Sequence, residues 1–220
     1  MRRIRAVILD IDGTLLLSND AHAQAFVDSA REMGIDADFE KVRRLIGKGG
    51  DKLIPEAFGF EKESEQGKRL DGRKGEIFRE RYLPTLEPAP GARALLQRLR
   101  DDGRTLVVAT SADNADLKGL LEQAGVRDLI EEATSSSDVE ESKPDPDIVH
   151  AALQKSGVPA EAVVMLGDTP YDVEAASRAG VRTICLRCGG WSDRELRGAA
   201  AVYADPEDLL AHYAESLLGE

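Results

Sequence analysis

Residues 4–14, with the sequence IRAVILDIDGT, decide the fold of this chain. The run 4–9 does not alternate between apolar and polar residues, which is typical of a strand buried on both faces of a parallel sheet. Asp10 and Asp12 follow this strand, and residues i and i+2 of an extended segment point to the same side. Ligands bind at the carboxyl ends of the strands in open α/β sheets. We therefore expect Asp10 and Asp12 to stand together at a ligand-binding edge.

Further apolar runs of the same kind are separated by segments with helical periodicity. From Leu117 to Ala124, for example, apolar residues recur at positions i, i+3, i+4 and i+7 and form one stripe. Alternation of strands and short helices indicates βαβ units. We predict an α/β fold with a Rossmann-like, mainly parallel sheet sandwiched by helices. The further strands are expected at residues 105–109, 129–133, 162–166 and 181–186, the second of these being the weakest.

A long helical insertion separates the first two predicted strands. Helical patterns occupy much of residues 18–86, at positions 22–33, 39–45, 52–58 and 61–83. Residues 17–19 on one side and the three prolines of residues 84–91 on the other are typical of a hinge. We therefore predict a core domain of residues 1–17 and 87–220, with an inserted α-helical domain of residues 18–86.

Composition excludes several classes of protein. The chain has 220 residues, with 29 Lys+Arg against 41 Asp+Glu, a formal net charge of −12. That charge repels nucleic acid, which we do not expect as a partner. The apolar run before Asp10 is too short for a signal peptide or a membrane span. Cys185 and Cys188 cannot build a disulfide framework, and a lone C-x-x-C is a weak zinc signal. We expect a cytoplasmic protein, monomeric or homodimeric, without membrane contact.

A second group of acidic residues follows the strand predicted at 162–166. In GDTPYD, residues 167–172, Thr169 and Pro170 suit the N-cap and first turn of a helix, with Asp172 at the third position. Capping does not explain Asp168. Crowded carboxylates lose solvation and repel each other, which raises at least one pKa, and a divalent cation such as Mg²⁺ relieves this. A D-x-D-G turn without function remains the alternative for residues 10–13.

Thr110, Ser111 and Lys143 are candidate phosphate ligands. Thr110 ends the strand predicted at 105–109, where its hydroxyl and the amides of the next helix suit an oxyanion. Ser111 suits an N-cap equally well. Lys143 precedes a proline, which holds it extended in a loop, and one fixed lysine in an acidic protein suits phosphate. A surface loop is the alternative for Lys143, and Asp145 suits the N-cap of the helix that follows.

Four motifs in this order and spacing resemble those of the haloacid dehalogenase-like hydrolase superfamily. They are ILDIDGTL (8–15), VVATS (107–111), SKPDPD (142–147) and MLGDTPYD (165–172). The resemblance extends from about residue 4 to residue 190, and each motif is weak alone but the combination is specific. The insertion stands where this superfamily carries a small helical cap domain. The pattern is most similar to the phosphoglycolate phosphatase and β-phosphoglucomutase branch.

The resemblance implies a Mg²⁺-dependent phosphatase that hydrolyses a small phosphate monoester, of phosphoglycolate or sugar-phosphate type. Asp10 would be the nucleophile and form an aspartyl-phosphate. Asp12 would act as general acid on the leaving oxygen and then as base for water. Thr110 and Lys143, with Ser111 as a further phosphate ligand, would hold the transferring phosphoryl oxygens. The remaining implied role is metal binding, by Asp10, the Asp12 backbone carbonyl, Asp168 and, directly or through water, Asp172.

Other activities and other positions stay open. A phosphomutase of the β-phosphoglucomutase type is the main alternative, and a non-catalytic regulatory protein is a weaker one. In the loop 47–52, GKGGDK, Lys48 and Gly49 are candidates for binding the substrate beyond its phosphate, against the alternative of a plain glycine-rich turn. No role is predicted for four residues of the hinge and insertion, which are Leu17, His22, Arg43 and Arg44.

Overall fold

The computed structural model describes residues 3–135, 139 and 141–219. Within them a six-stranded, entirely parallel sheet has the strand order β3-β2-β1-β4-β5-β6. The strands are β1 (Ala6–Leu9), β2 (Thr105–Ala109), β3 (Glu132–Thr134), β4 (Val163–Gly167), β5 (Arg182–Leu186) and β6 (Ala201–Tyr203). The predicted α/β fold with a parallel sheet is confirmed.

The first strand lies in the middle of the sheet, as its continuous apolar run predicted. Leu9, the last residue of β1, is in register with Val108 of β2 and Leu166 of β4. The segments that follow these three strands therefore start side by side at one edge. The short edge strand β6, whose three residues are only partly buried, was not predicted.

Helices cover both faces of the sheet. On one face Leu9 and its neighbours pack against α5 (Ala92–Asp101), α6 (Asn114–Gln123) and α9 (Pro206–Ala211). On the other face Ile8 and its neighbours pack against α7 (Asp147–Ser156) and α8 (Pro170–Arg178). Alternate residues of β1 thus enter two separate cores, which explains why the strand carries no polar alternation.

The segment between β1 and β2 is helical, as predicted, with shifted bounds. It contains α1 (Asn19–Glu32), α2 (Phe39–Arg43), α3 (Gly50–Phe58) and α4 (Glu65–Ile77), followed by a π-helical turn, Phe78–Tyr82, and a 3₁₀ turn, Leu83–Thr85. The helix in the charged stretch 61–83 is therefore shorter than predicted. These helices bury an apolar cluster of their own around Phe26 and Leu53. The division of the chain into two domains at these points stays a prediction.

Helix termini bear out part of the predicted capping. Thr169 and Asp172 form the reciprocal capping box of α8, as their spacing predicted. Ser111 is not a helix cap, because α6 begins later and Asp113 accepts a hydrogen bond from the amide of Asp116 instead. Asp145 is not a cap either, since Pro146 holds that position in α7. Among the described residues, no helix combines the length and the apolar character that a membrane span requires.

The cap of α6 can be tested by two substitutions at one position. Asp113→Ala should lower the free energy of unfolding by about 1 kcal/mol, because the first turn loses its side-chain acceptor. Asp113→Asn should leave it nearly unchanged, since an asparagine oxygen caps equally well. Urea unfolding followed by circular dichroism measures both. Equal destabilisation by the two variants would contradict a capping role.

Candidate active site

Three buried carboxylates meet at the carboxyl edge of the sheet. Asp10 follows β1, Asp168 follows β4, and Asp172 lies in the first turn of α8. One oxygen from each lies within 4.8 Å of the other two, and all three residues are buried. Asp10 and Asp168 meet because β1 and β4 are neighbours in the sheet. The predicted convergence of these two acids is therefore confirmed.

Asp12 lines the same cavity as Asp10, as expected, but its side chain is not part of the three-carboxylate cluster. Its carboxylate accepts hydrogen bonds from the Ser18 hydroxyl at 2.5 Å and lies 2.8 Å from Nε2 of His22. The chain turns directly after Asp12, at Gly13, whose φ is +76°.

Lys143 is the counter-ion of the carboxylate cluster. Its side chain is completely buried, and Nζ lies 2.7 Å from Asp10 and 2.8 Å from Asp172. The surface-loop alternative is therefore wrong, because a cation is needed beside two buried carboxylates. Burial alone lowers the pKa of Lys143, but the carboxylates of Asp10 and Asp172 outweigh it and raise that pKa above its ordinary value.

The electrostatics of the cluster follow from burial. Loss of solvation, with repulsion from Asp172 and Asp12, raises the pKa of Asp10 to about 7 even though Lys143 opposes the shift. Burial and the negative charges of Asp172 and Asp10 raise the pKa of Asp168 well above its ordinary value. The expected rise of at least one carboxylate pKa is confirmed.

Asp12 shows the opposite shift. Burial opposes its ionisation, but the charge and hydrogen bond of His22, with the Ser18 hydroxyl, lower the pKa of Asp12 to about 2. His22 is itself buried and stacks on Phe78 with ring centroids 3.9 Å apart. The sequence left His22 without a role. The only local signal of the pairing with Asp12 was that His22 follows Ser18 by four residues, which places both side chains on one face at the start of α1.

The donor set of the cluster fits a hard divalent cation. Its ligands are carboxylate oxygens, and their mutual repulsion calls for more positive charge than Lys143 supplies. Asp172 Oδ1 lies 2.8 Å from Nζ of Lys143, and Oδ2 accepts hydrogen bonds from the amide and hydroxyl of Thr169. Beside the cluster, Oδ1 of Asn19 is buried without a hydrogen-bond partner among the described residues.

Asp168 is held by neighbours that leave it no room to move. Its two oxygens accept hydrogen bonds from the Thr14 hydroxyl at 3.1 Å and from Nδ2 of Asn19 at 2.8 Å. A Cβ added to Gly13 would lie 2.2 Å from Asp168 Oδ2, and one added to Gly189 only 1.8 Å from the same atom. Both glycines are therefore required for space.

Thr110 and Ser111 lie at the end of β2, beside the cluster. The buried Thr110 hydroxyl oxygen accepts a hydrogen bond from the amide of Ala112 at 3.1 Å. The hydroxyl hydrogen of Thr110 is not used in this bond. The Ser111 hydroxyl donates to the backbone oxygen of Gly47 at 3.0 Å and so joins the sheet to the insertion. Ser111 also lines the cavity that contains Asp10.

The insertion contributes lysines to the far wall of this cavity. Lys48 lines it as predicted, although its amine also pairs with Glu56 and lies 5.0 Å from the centre of the Tyr171 ring. Lys62 and Lys74 line it too and were missed, because the charged stretch 61–83 was interpreted mostly as a solvated helix face. Lys62 pairs with Asp71 at 3.3 Å.

Other candidates of the insertion lie away from the cavity. The amide of Gly49 donates to the Ser142 hydroxyl at 3.0 Å, so this backbone group contacts the core instead of the cavity, against the prediction. Leu17 is exposed at the start of the insertion. Arg43 and Arg44 also contact the core, on the side of the loop that follows β5.

The tight fit of Gly189 against Asp168 can be tested by stability. Its φ is not positive, so Gly189→Ala should be strained only by the collision of the new methyl group with Asp168. We expect a loss of about 1–3 kcal/mol in the free energy of unfolding. Gly72→Ala, in α4 with no atom within 4 Å, is the control and should be neutral or stabilising. Urea unfolding in EDTA gives both values, and an unchanged Gly189→Ala would contradict the packing.

Comparisons with known proteins agree with this site. The family model described as haloacid dehalogenase-like hydrolase matches residues 7–186. Phosphoglycolate phosphatase of Rhodospirillum rubrum is 31% identical over 211 residues, covering 91% of this chain and 87% of the relative. The probable phosphatase IndB of Dickeya dadantii is 30% identical over 212 residues, covering 95% and 90%.

Solved structures give the same result. A hydrolase from Pseudomonas syringae superimposes with a TM-score of 0.89 at 30% identity, covering 96% of this chain and 98% of that one. CbbY from Rhodobacter sphaeroides, solved in complex with phosphate, gives 0.81 at 26% identity, covering 94% and 96%. The chain therefore belongs to the haloacid dehalogenase-like hydrolases, as a phosphatase of that family.

Proposed function

We propose that this phosphatase uses Mg²⁺ to hydrolyse small phosphate monoesters, of phosphoglycolate or sugar-phosphate type, through an aspartyl-phosphate on Asp10. The observation that carries the proposal is that one cavity contains two carboxylates whose pKa values are shifted in opposite directions. Asp10 lies against Lys143 in the carboxylate cluster, and Asp12, two residues later, lies against His22. One carboxylate is thus set up as an acceptor for a phosphoryl group, and the other as a proton carrier.

In the first half-reaction an oxygen of Asp10 attacks phosphorus, and the bond from phosphorus to the leaving oxygen breaks. The leaving oxygen takes a proton from Asp12. Lys143, 2.7 Å from Asp10, favours the ionised form of the nucleophile and orients it. His22 and the Ser18 hydroxyl lower the pKa of Asp12 to about 2 in the unliganded protein, so Asp12 has to take up a proton before it can act as the acid. His22, 2.8 Å away, is the neighbouring group proposed to supply that proton.

In the second half-reaction a water molecule attacks phosphorus and gives a proton to Asp12. The bond between phosphorus and the Asp10 oxygen breaks, which releases inorganic phosphate, returns Asp10 to its ionised form and leaves Asp12 protonated. Asp12 can act as the base here because it has already given its proton to the leaving oxygen in the first half-reaction. Thr110, Ser111 and Lys143 are proposed to hold the phosphoryl oxygens, since Thr110 and Ser111 directly follow β2 and Lys143, in the loop before α7, lies 2.7 Å from Asp10.

The Mg²⁺ ion would be held by Asp10, Asp168 and the backbone carbonyl of Asp12. Asp172 would act directly or through water, with Oδ1 lying 2.8 Å from Nζ of Lys143 and Oδ2 bonded to Thr169. When bound, the ion supplies neutralisation of the negative charge that gathers on the phosphoryl oxygens. The cytoplasmic location and a monomeric or homodimeric state stay predictions.

The reaction is tested by phosphate release from a panel of phosphomonoesters, with Mg²⁺ and with EDTA. The wild type should release phosphate only with Mg²⁺. Asp10→Asn should abolish turnover because an amide cannot accept the phosphoryl group, and Asp12→Ala should lower kcat by about 10²- to 10⁴-fold. Asp36→Asn, an exposed carboxylate of the insertion, is the control and should change nothing.

Two results would contradict the proposal. One is full turnover by Asp10→Asn or in EDTA. The other is conversion of β-glucose 1-phosphate to the 6-phosphate at a rate above phosphate release, which would make the enzyme a phosphomutase.

Substrate choice is proposed to depend on the wall of the cavity that the insertion supplies. Lys48→Ala should lower kcat/KM about ten- to a hundredfold for a substrate with a second anionic group, since a charge-assisted contact is lost. For p-nitrophenyl phosphate, which carries no second anionic group, it should change little. Lys68→Ala, an exposed lysine of α4 paired with Glu63, is the matched control. Equal losses on both substrates would show that Lys48 serves structure alone.

A further inference from the structure

The loop after β5 connects the carboxylate cluster to the helical insertion. Gly189, in this loop, lies directly against Asp168, because a Cβ added to this glycine would collide with the Asp168 carboxylate. Its backbone oxygen accepts two hydrogen bonds, from Nδ2 of Asn19 at 3.1 Å and from Nη2 of Arg43 at 2.6 Å. One carbonyl therefore joins α1, α2 and the loop.

Asn19 passes this contact on to the cluster. Its Nδ2 group donates both to Gly189 and, at 2.8 Å, to Asp168 Oδ2. The two hydrogens of one amide thus fix the carboxylate and the loop carbonyl relative to each other. If the loop carbonyl shifts, Asn19 must give up one of its two acceptors or move Asp168.

Arg43 is built into this position. Its side chain is only 13% exposed, and Nε donates to Asp20 at 2.5 Å while Nη2 reaches Gly189. A Cβ on Gly190, where φ is +88°, would lie 2.7 Å from Arg43 Nη2, so the glycine makes room for the guanidinium. The two donors of one rigid fork are used in different directions, which a lysine cannot reproduce.

We propose that Arg43 is a positioning residue for the metal site: its hydrogen bond to Gly189 fixes the Asn19 amide on Asp168. The inference rests on the proposed function, in which Asp168 binds the cation. Groups that orient a metal ligand typically change metal affinity by about 10- to 100-fold when removed. Arg43 belongs to the insertion. The packing of α2 on the core therefore contributes to the affinity of the site for the cation.

Arg44 provides a matched control. It follows Arg43 at the same helix end and also contacts the core, so its removal deletes the same charge and a similar contact. Its guanidinium, however, lies 2.6 Å from Glu195 and 4.4 Å from the centre of the Trp191 ring, so its partners follow Gly189 in the chain and are not the carbonyl that Asn19 shares with Arg43.

The experiment is a titration of the full chain with Mn²⁺, in which electron paramagnetic resonance measures the free ion. Asp168→Asn defines binding outside the site and is subtracted. Arg43→Met should raise the dissociation constant for Mn²⁺ about tenfold, Arg44→Met less than twofold, and Arg43→Lys by an intermediate factor. In an Asn19→Ala background, Arg43→Met should add no further loss, because the connection is already broken.

The outcomes separate this inference from the proposed function. Wild type that binds no more Mn²⁺ than Asp168→Asn would contradict the proposed cation site itself. Normal wild-type binding with equal effects of Arg43→Met and Arg44→Met, or with additive losses in the Asn19→Ala background, would overturn the role of Arg43 alone. Thermal unfolding in EDTA identifies a variant that fails to fold. If Arg43→Met fails to fold, Arg43→Lys takes its place in the comparison with Arg44→Met, with the same criteria.

Discussion

Burial of like charges at the carboxyl edge of the sheet is the constraint on which the rest of this structure depends. Asp10, Asp168 and Asp172 are almost fully removed from water and close to one another. Such a cluster is unstable by itself, because each carboxylate loses solvation and repels the others. Lys143, equally buried, pairs with two of the three. One lysine leaves the site with a net negative charge. A divalent cation can neutralise that charge, and the site can then accept a phosphoryl group.

The scaffold around the cluster is arranged to hold charge in place. Asp172 is fixed by the capping box of α8, which occupies the oxygen that does not face Lys143. Asp168 is fixed by Thr14 and Asn19 and enclosed by glycines that allow no Cβ. Rigid placement matters here, because phosphoryl transfer depends mainly on positioning and electrostatic stabilisation. The hydrogen bond from Arg43 to Gly189 connects this arrangement to the insertion through the loop after β5.

The sequence predicted those parts of the site that follow from strand order and local periodicity. Asp10 and Asp168 could be placed because each directly follows a buried strand, and parallel strands end at one edge. Asp172 could be placed from helix capping. The burial of Lys143 could not be derived from its proline neighbour alone, since it depends on two carboxylates that are remote in sequence. Resemblance to the family's motifs, not periodicity, assigned it to the site.

Residues of the insertion were the hardest to predict. Lys62 and Lys74 belong to a charged segment whose local pattern is that of a surface helix, and only packing on the core brings them to the cavity. Arg43 and Gly49 contact Gly189 and Ser142, which are 146 and 93 positions away. Contacts of that kind leave no periodic signal, because they depend on how residues remote in sequence pack together.

The central claim is that Asp10 accepts the phosphoryl group in a site that requires a divalent cation. Fluorine NMR of bound BeF₃⁻, which imitates a phosphoryl group on a carboxylate, tests it most directly. Wild type with Mg²⁺ should give bound fluorine resonances that disappear with EDTA and are absent from Asp10→Asn. Bound resonances that persist in Asp10→Asn, or that form in wild type without Mg²⁺, would contradict the account.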